Sequence, residues 1–195
     1  MKLFKRLVFS VRMLHRYRHA LAEIYYQSPR HYSLYQLSPT QLKQQGVKVL
    51  VLDFDGVLAA HGELQPVEEL RHWLLECANV FGGEQIFVLS NKPLPSRIDY
   101  FNHHYPGIRY ITEVKKKPYP DGLEKIIALT GFSPGALRLV DDRLLTGALA
   151  GCIAQVPIIY ISKPYIDWSK RPVQELFFTT LRSFERHFIF WYGKL

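Results

Sequence analysis

The chain has 195 residues, of which 48% are hydrophobic and 22% charged, and this balance excludes a disordered chain. At this length one domain with a sizeable core is expected, and two cysteines exclude a disulfide scaffold and indicate a reducing compartment. The net charge of +8 lies at the ends: residues 1–30 carry +6, residues 163–195 carry +3 and residues 31–162 carry −1. A near-neutral middle without a base-reading motif argues against nucleic acid as a partner.

The N-terminal segment, residues 1–30, has the periodicity of a basic amphipathic helix. At about 100° per residue, residues 2–17 divide into two faces, from which Phe9 and Arg18 depart. The apolar face holds Leu3, Phe4, Leu7, Val8, Val11 and Leu14, and the basic face holds Lys2, Lys5, Arg6, Arg12 and Arg16. Such a helix is typical of an anionic membrane surface, although docking on the protein's own core or on a partner uses the same pattern. Organelle transit peptides share this character.

Residues 31–195 alternate between short apolar runs and amphipathic segments. The predicted strands are residues 47–52, 86–89, 108–111, 137–140 and 158–161. The predicted helices lie between Ser38 and Gly46 and over residues 66–78, 122–129, 144–150 and 173–190, while His103-His104 is placed in a surface loop. The alternation predicts an α/β domain over residues 31–195, a doubly wound parallel sheet in a Rossmann-like three-layer sandwich that includes the C-terminal helix.

Polar residues follow the predicted strands, at the sheet edge where α/β proteins bind ligands. Asp53 and Asp55 follow the first strand, and Ser90-Asn91 follow the second. Lys115–Lys117 precede the next helix, and Asp141-Asp142 follow the fourth strand. Carboxylate oxygens are the ligands that Mg²⁺ prefers, and hydroxyl and lysine donors bind phosphate oxygens. These residues predict a site for Mg²⁺ and a phosphate group.

Two carboxylates at positions i and i+2 can serve opposite functions in phosphate ester hydrolysis. Asp53 can attack phosphorus to form an aspartyl-phosphate, while Asp55 protonates the leaving oxygen and then deprotonates water. Ser90 and one lysine can donate to the non-reacting phosphate oxygens. Gly56 relieves crowding at the turn and lets its backbone approach the phosphate. The residues therefore predict a phosphomonoesterase.

Over residues 47–162 the chain resembles the haloacid dehalogenase (HAD) superfamily of phosphatases. Its four motifs appear in order, as Asp53-x-Asp55-Gly56-Val57, Ser90-Asn91, Lys117-Pro118 and Asp141-Asp142. Within the superfamily the chain is similar to the class IIIA, YqeG-like group, which includes mitochondrial phosphatidylglycerophosphate phosphatases. The similarity rests on Gln65-Pro66, Leu89-Ser90-Asn91, Lys117-Pro118-x-Pro120 and Asp142-Arg143-Leu144-Leu145-Thr146.

The resemblance implies a function for each motif residue. Asp53 is then nucleophile and metal ligand, and Asp55 is acid and base and binds metal through its main-chain oxygen. Asp142, with Asp141 beside it, completes the Mg²⁺ site. Ser90 and Lys117 hold the phosphate. Asn91, Gly56 and Arg143 complete the set of expected substrate-binding residues. For Arg143 the alternative is that it is only a charged residue at the surface.

The fourth motif departs from the YqeG-like pattern. That group usually has Gly-Asp followed by Thr-Asp, where this chain has Asp141-Asp142 followed by Thr146-Gly147. The paired Asp-Asp form occurs elsewhere in the superfamily, so metal binding is expected to be retained. The later carboxylate is lost, which leaves open which residue supports the metal ligands in its place. The choice among Lys115–Lys117 is also open, with Lys117 preferred because Pro118 follows it.

The spacing of the motifs predicts an enzyme without a cap domain. Only 36 residues separate Asp53 from Ser90, and 25 separate Asn91 from Lys117. An open site suits a surface-bound substrate, and aromatic residues within 183–194 favour the membrane interface as much as packing on the N-terminal helix. We therefore expect a Mg²⁺-dependent phosphatase at an anionic membrane surface, acting on a lipid headgroup phosphate such as phosphatidylglycerophosphate.

The expected location is cytoplasmic, at the inner face of a membrane, with organelle targeting left open. No stretch reaches the ~18–20 apolar residues of a spanning helix, and no signal-peptide core is recognised. Two other classes of function are weighed: the same chemistry on a soluble metabolite, nucleotide or protein, and a non-catalytic receiver-like module. A receiver carries its phosphoacceptor on a later strand than its acidic pair, which would leave Asp55 without a function.

Overall fold

The computed structural model describes residues 2–194, with side chains from Phe4 to Lys194. Within this range five strands form one parallel sheet: β1 (Val49–Leu52), β2 (Ile86–Val88), β3 (Arg109–Tyr110), β4 (Leu137–Asp141) and β5 (Ile158–Tyr160). The α-helices are α1 (Lys2–Gln27), α2 (Pro39–Gln44), α3 (Leu70–Phe81), α4 (Pro95–His104), α5 (Asp121–Thr130), α6 (Leu149–Ala154) and α7 (Pro172–Tyr192).

β1 lies at the centre of the sheet, whose order is β3-β2-β1-β4-β5. Its residues are all apolar and buried, because helices cover both faces of the sheet. Leu50 and Leu52 belong to the apolar cluster with α3 and α4, whereas Val49 and Val51 belong to the cluster with α5 and α6. The prediction of a parallel α/β sheet between helices is confirmed.

The register of the sheet brings three loops together. Leu52 at the end of β1 pairs with Val88 of β2 on one side and with Val140 of β4 on the other. Parallel strands end at the same edge, so the segments that begin at Asp53 and Leu89 and after Asp141 leave the sheet side by side.

α1 packs on α7, α6 and β5, and α7 also contacts residues 144–148. Leu21 of α1 and Ile189 of α7 are buried in a third apolar cluster. The Tyr26 hydroxyl also donates to the Phe190 carbonyl, over 3.1 Å. The end of α7 thus packs on α1, and within residues 183–192 the exposed large aromatic side chains are Phe184 and Trp191.

The first half of α1 turns its apolar stripe to solvent. Arg6 Nη2 donates to the Lys117 carbonyl over 2.6 Å, and the Phe9 ring stacks on Tyr119 with centroids 4.3 Å apart. These two contacts direct the opposite side of the helix outward, with exposed Phe4, Leu7, Val8 and Val11. The predicted side-chain positions of Lys2 and Leu3 lie outside the described side chains. Among residues 2–194, no helix combines the length and apolar character needed to cross a bilayer.

α4 occupies a segment in which the sequence predicts no helix. His103 and His104 form its last turn, so their placement in a surface loop is wrong, although both side chains are exposed. The helix begins at Pro95 and buries Phe101, but polar residues interrupt its apolar pattern. Two parallel strands need a crossover connection, and α4 provides it between β2 and β3.

Several predicted boundaries also move. α1 runs ten residues beyond the predicted end at position 17, to Gln27. α3 begins at Leu70 rather than at Pro66, since residues 66–67 are irregular and residues 68–69 form a turn. The predicted helix over residues 144–150 is a wide helical turn of π type, Leu144–Ala148, followed by α6.

Candidate active site

The segments that follow β1, β2 and β4 enclose a cavity of about 210 Å³. Most of the predicted site residues border it, namely Asp53, Asp55, Ser90, Asn91, Lys117 and Arg143. Gly56, Asp141 and Asp142 are buried and do not line it. The structure therefore brings the four motifs to one edge of the sheet, with two carboxylates beneath the cavity surface.

Asp53, Asp141 and Asp142 form a buried acidic cluster. One carboxylate oxygen of each residue lies within 4.8 Å of the other two. Asp142 Oδ1 is buried and has no hydrogen-bond partner among the described residues, which is unfavourable for a carboxylate oxygen. Three converging carboxylates are the donor set that hard divalent cations prefer. The residues present thus fit a divalent metal ion.

Lys117 is the lysine that the fold brings into the site. Its Nζ lies 2.9 Å from Asp53 Oδ1 and 2.5 Å from Asp141 Oδ2, and its side chain is buried. Burial disfavours the charged ammonium, but the two carboxylates outweigh this and raise the pKa of Lys117. Lys115 and Lys116 are exposed, and Lys115 pairs with Asp121 at the surface.

The pKa values of the acidic cluster show its shortage of positive charge. Burial raises the pKa of Asp53 to about 8; Lys117 opposes this increase, and the charges of Asp141 and Asp142 add to it. Burial also raises the pKa of Asp141, again against Lys117. The cluster has two cationic partners, Lys117 beside Asp53 and Asp141 and the Arg182 guanidinium beside Asp142, for three buried carboxylates. A divalent cation would supply the missing positive charge.

Asp55 is held by a buried arginine. Arg97 Nη2 lies 2.7 Å from Asp55 Oδ1 and Arg97 Nη1 lies 2.9 Å from Oδ2, while the Gly62 N–H also donates to Oδ1. Burial would raise the pKa of Asp55, but the hydrogen bonds and charge of Arg97 outweigh it and lower the pKa below its usual value. Arg97 is fully buried, with Cζ 3.9 Å above the Phe54 ring. Arg97 therefore fixes the orientation of Asp55.

Arg97→Met is expected to lower the free energy of unfolding by about 2–4 kcal/mol, because it leaves the partly buried Asp55 carboxylate without its counter-charge. We also expect kcat to fall by at least about tenfold, since Asp55 loses its fixed orientation. Denaturant unfolding and steady-state kinetics measure the two effects. The matched control is Arg71→Met, which removes a half-buried arginine paired with the exposed Glu68. Equal stability of the two variants would contradict the clamp.

Ser90 and Asn91 differ in what they contact. Ser90 Oγ accepts from the Lys92 N–H over 3.0 Å and lines the cavity. Asn91 Oδ1 accepts from the Lys117 N–H over 2.6 Å, and its Nδ2 donates to the Lys117 carbonyl over 3.3 Å. Asn91 thus holds the backbone of Lys117 in place, while Ser90 stays at the cavity surface.

The structure explains why position 56 is a glycine, and the explanation differs from the predicted approach of its backbone to phosphate. Its N–H donates to the Ala59 carbonyl over 2.7 Å, so this donor is already used. The residue has φ +90°, and a Cβ here would overlap the Asp142 carboxylate and the Arg182 guanidinium. Glycine at this position lets Asp142 reach the acidic cluster.

Asp142 is supported from α7. Arg182 Nε donates to Asp142 Oδ2 over 2.5 Å, and Arg182 Nη2 lies 3.3 Å from His61 Nδ1. Burial and the charge of Arg182 lower the pKa of His61 to about 4, so the imidazole is neutral and Nδ1 accepts this hydrogen bond. His61 in turn borders the cavity.

The sequence predicts that Arg143 either contacts the substrate or is a surface charge, and its contacts match neither prediction fully. It borders the cavity, but its guanidinium forms a two-pronged ion pair with Glu185 of α7. Glu185 Oε2 also accepts from the Leu144 N–H, over 3.0 Å. Arg143 is therefore not a free surface charge, and the ion pair joins the β4 loop to α7.

The departure in the fourth motif has a local explanation. A Cβ on Gly147 would overlap the carboxyl group of Asp141. The Asp141 carboxylate thus fills the space into which a side chain at position 147 would project. Asp141 accepts from the Arg143 N–H and pairs with Lys117 from this position. The space beside position 147 holds a single carboxylate, and in this chain residue 141 provides it.

The supporting residues Arg97, His61, Arg182 and Glu185 are absent from the sequence-based prediction. For α7 a signal exists, because Glu175, Arg182 and Glu185 share the buried face with Ile189. Charged residues at core positions of an amphipathic helix indicate buried partners. Arg97 lies on α4, whose interrupted apolar pattern does not predict a helix, and His61 has no such pattern.

Comparison with known proteins identifies the class. The sequence model of the mitochondrial PGP phosphatase family matches residues 19–156, a range that holds all four motifs. No curated protein matches. Among solved structures, an uncharacterized protein from Corynebacterium glutamicum ATCC 13032 Kitasato shows 18% identity and a TM-score of 0.46, covering 70% of this chain and 96% of that chain.

The parallel sheet, the acidic cluster and the family match define a HAD-like phosphatase, which is a phosphoric monoester hydrolase. Phosphatases of this class generally use a divalent metal ion, and the acidic cluster fits one. The chain belongs to the mitochondrial PGP phosphatase family.

Proposed function

We propose that this protein removes the terminal phosphate of phosphatidylglycerophosphate, with Mg²⁺ and through an aspartyl-phosphate intermediate. The observation that carries the proposal is the cluster of Asp53, Asp141 and Asp142 beside Lys117, in a chain of this family. The motif sequences further favour the class IIIA, YqeG-like group.

Asp53 is the proposed nucleophile because its carboxylate reaches the cavity from the end of β1. A bond forms from its oxygen to phosphorus as the bond from phosphorus to the leaving oxygen breaks, and water then attacks phosphorus and releases phosphate. Lys117 Nζ and Ser90 Oγ would donate to the non-reacting oxygens. Mg²⁺, held by Asp53, Asp141, Asp142 and the main-chain oxygen of Asp55, would supply charge against the repulsion of carboxylates and phosphate.

Asp55 is the proposed acid and base, since it lies two residues from Asp53 and lines the same cavity. The clamp by Arg97 favours the ionised carboxylate, which suits removal of a proton from the attacking water. The same clamp disfavours protonation of the leaving oxygen, because an ionised Asp55 carries no proton to donate. Esters with acidic leaving groups should therefore depend least on Asp55.

We propose that the site is capless and open to a lipid headgroup. Residues 54–89 contain α3, β2 and short turns, and residues 92–116 contain α4 and β3, with no additional domain in either described segment. A phosphate at a bilayer surface can then approach the cavity without a closing lid.

Exposed apolar side chains beside the cavity support membrane binding, which we place at the inner face of a membrane. Val173 and Phe177 of α7 are 82% and 61% exposed and neighbour Gln174 and Phe178, which border the cavity. The exposed stripe of α1 starts beside Arg6, which contacts the Lys117 carbonyl. Exposed basic residues near the stripe suit an anionic surface; they include Lys5, Arg12, Lys115 and Lys116.

The double variant Leu7→Glu/Val11→Glu is expected to reduce binding to anionic vesicles by at least about tenfold, because two exposed apolar side chains no longer enter the bilayer. Turnover of phosphatidylglycerophosphate in vesicles should fall in parallel, while turnover of a soluble aryl phosphate stays unchanged. Vesicle flotation and phosphate release measure these effects. Point variants are sharper than deletion of residues 1–26, since deletion would also remove the buried Leu21.

The control for these variants is Leu75→Glu/Leu129→Glu, which changes two exposed leucines on α3 and α5. It should bind vesicles like the wild type. If Leu7→Glu/Val11→Glu also binds and turns over the lipid normally, α1 is not the membrane surface. A panel in which soluble phosphate esters are hydrolysed far better than phosphatidylglycerophosphate would overturn the lipid substrate.

A further inference from the structure

A second cavity, of about 650 Å³, lies between α7 and the segment of residues 162–166 that follows β5. Three cationic side chains border it, from Lys163, Arg182 and Arg186. Residues with hydroxyl groups border it from α7, from residues 162–166 and from residues 33–35, and they include Thr179 and Tyr35. In the described part of the chain, no acidic residue contributes to its lining. A lining of cations and hydroxyls favours an anionic ligand.

Arg182 and Thr179, which both border this cavity, each carry a buried polar atom without a hydrogen-bond partner among the described residues. The Arg182 side chain is 3% exposed, and its Nη1 has no hydrogen-bond partner among the described residues. Thr179 Oγ1, one turn earlier on α7, is likewise buried and unpaired within that range. Buried polar groups are normally hydrogen-bonded, so two such donors on one wall point to a ligand that accepts from both.

The other two cationic residues, Lys163 and Arg186, are not paired with a carboxylate in the described part of the chain. Arg186 Nε donates to the Tyr160 hydroxyl and its Nη2 to the Ser162 carbonyl, which fixes the guanidinium through neutral partners. Among residues 2–194, neither Lys163 nor Arg186 forms an ion pair with a carboxylate. Their charge is therefore not neutralised within the protein.

This cavity is distinct from the catalytic one. The catalytic cavity is bordered by His61, whereas Arg182 lies behind His61 and borders the second cavity instead. Arg182 uses Nε for Asp142 and Nη2 for His61, so Nη1 is the guanidinium nitrogen that has no partner among the described residues. The guanidinium thus forms a wall between the two sites.

We propose that this second cavity, which we call the α7 anion site, binds a phosphate group through Arg182 Nη1, Thr179 Oγ1 and Lys163. The inference goes beyond the proposed function, because it concerns a binding site outside the catalytic cavity. Free phosphate, or a small phosphate ester, and the phosphodiester of a lipid headgroup share the required chemistry. Lys163 is exposed and borders the cavity, so it can meet either source.

The test is an amide ¹H–¹⁵N titration of the full chain with inorganic phosphate. Amides of residues 162, 163, 165, 166 and 183 report the α7 anion site, and amides of residues 90–92 report the catalytic cavity. The test variant is Lys163→Gln/Thr179→Val, and the matched control is Lys48→Gln/Thr180→Val, which changes an exposed lysine and an exposed threonine outside the cavity. Arg182 is left unchanged because it also holds Asp142.

We expect saturable shifts at residues 162–166 in the control, and a dissociation constant at least about tenfold higher in the test variant. The dissociation constant at residues 90–92, and turnover of a soluble aryl phosphate, should stay within about twofold in both. If residues 162–166 do not shift, or shift equally in both variants, the α7 anion site does not exist. Loss of activity by Asp53→Asn is independent of this outcome.

Vesicle flotation separates the two sources of phosphate. If phosphatidylglycerol vesicles bind the test variant more weakly than the control, the ligand is a lipid headgroup. If vesicle binding is equal while the affinity for inorganic phosphate falls, the ligand is free phosphate or a small ester. Unchanged behaviour in both assays would refute the proposal.

Discussion

Asp53→Asn is expected to reduce kcat on any phosphate ester by about 10⁴-fold or more, because an amide oxygen does not form the acyl-phosphate bond. The fold should be retained, since the substitution removes one of three crowded carboxylates while Lys117 keeps its contact with Asp141. Single-turnover kinetics and circular dichroism measure the two effects. Trapping of a phosphorylated protein should succeed with the wild type and fail with the variant.

The control for this substitution is Asp121→Asn, which changes a carboxylate paired with Lys115 at the surface. It should keep wild-type kcat. An Asp53→Asn protein that retains wild-type, metal-dependent turnover would exclude the aspartyl-phosphate mechanism. A folded variant that has lost activity but still accumulates a phosphorylated residue would assign the nucleophile to another side chain.

Exchange of residues 141 and 147 is expected to have the second largest effect. Gly147→Asp alone should lower the free energy of unfolding by at least about 3 kcal/mol, because the new side chain overlaps Asp141 and adds a buried charge. Asp141→Gly alone should lower kcat by about 10²-fold, because Lys117 and the Arg143 N–H lose a partner.

The double variant Asp141→Gly/Gly147→Asp should recover most of both losses, since one carboxylate again fills the shared space. Its kcat and unfolding free energy should exceed those of either single variant, which a double-mutant cycle measures. Gly135→Asp is the control for an added aspartate, because Gly135 has open space around its Cβ position. A double variant no better than both single variants would show that the two positions do not share one carboxylate site.

The strand ends were predictable because buried parallel strands have a simple signal. The run from Val49 to Leu52 is wholly apolar, and Asp53 is the first polar residue after it. The same argument located Ser90 and Asp141-Asp142 at the neighbouring strands. The choice of Lys117 from three consecutive lysines rested on the resemblance, and the structure shows only Lys117 of the three buried against Asp53 and Asp141.

α1 illustrates a limit of periodicity. The sequence shows an amphipathic helix, but a hydrophobic stripe does not say whether it is buried or exposed. The packed side is marked by Phe9, which departs from the predicted stripe, and by Leu21 beyond its end. Contacts with Tyr119 and with α7, distant in sequence, decide which side faces the solvent.

The concentration of the +8 charge at the chain ends, the parallel α/β class and the polar residues at the strand ends all follow from the order of residues along the chain, because each depends on local composition or on a short repeat. The clamp of Asp55 by Arg97, the support of Asp142 by Arg182 and the pairing of Arg143 with Glu185 do not. The two residues of each pair are about 40 positions apart in sequence. Only the folded chain brings them together and excludes water from around them, so a local sequence pattern does not predict the pairing.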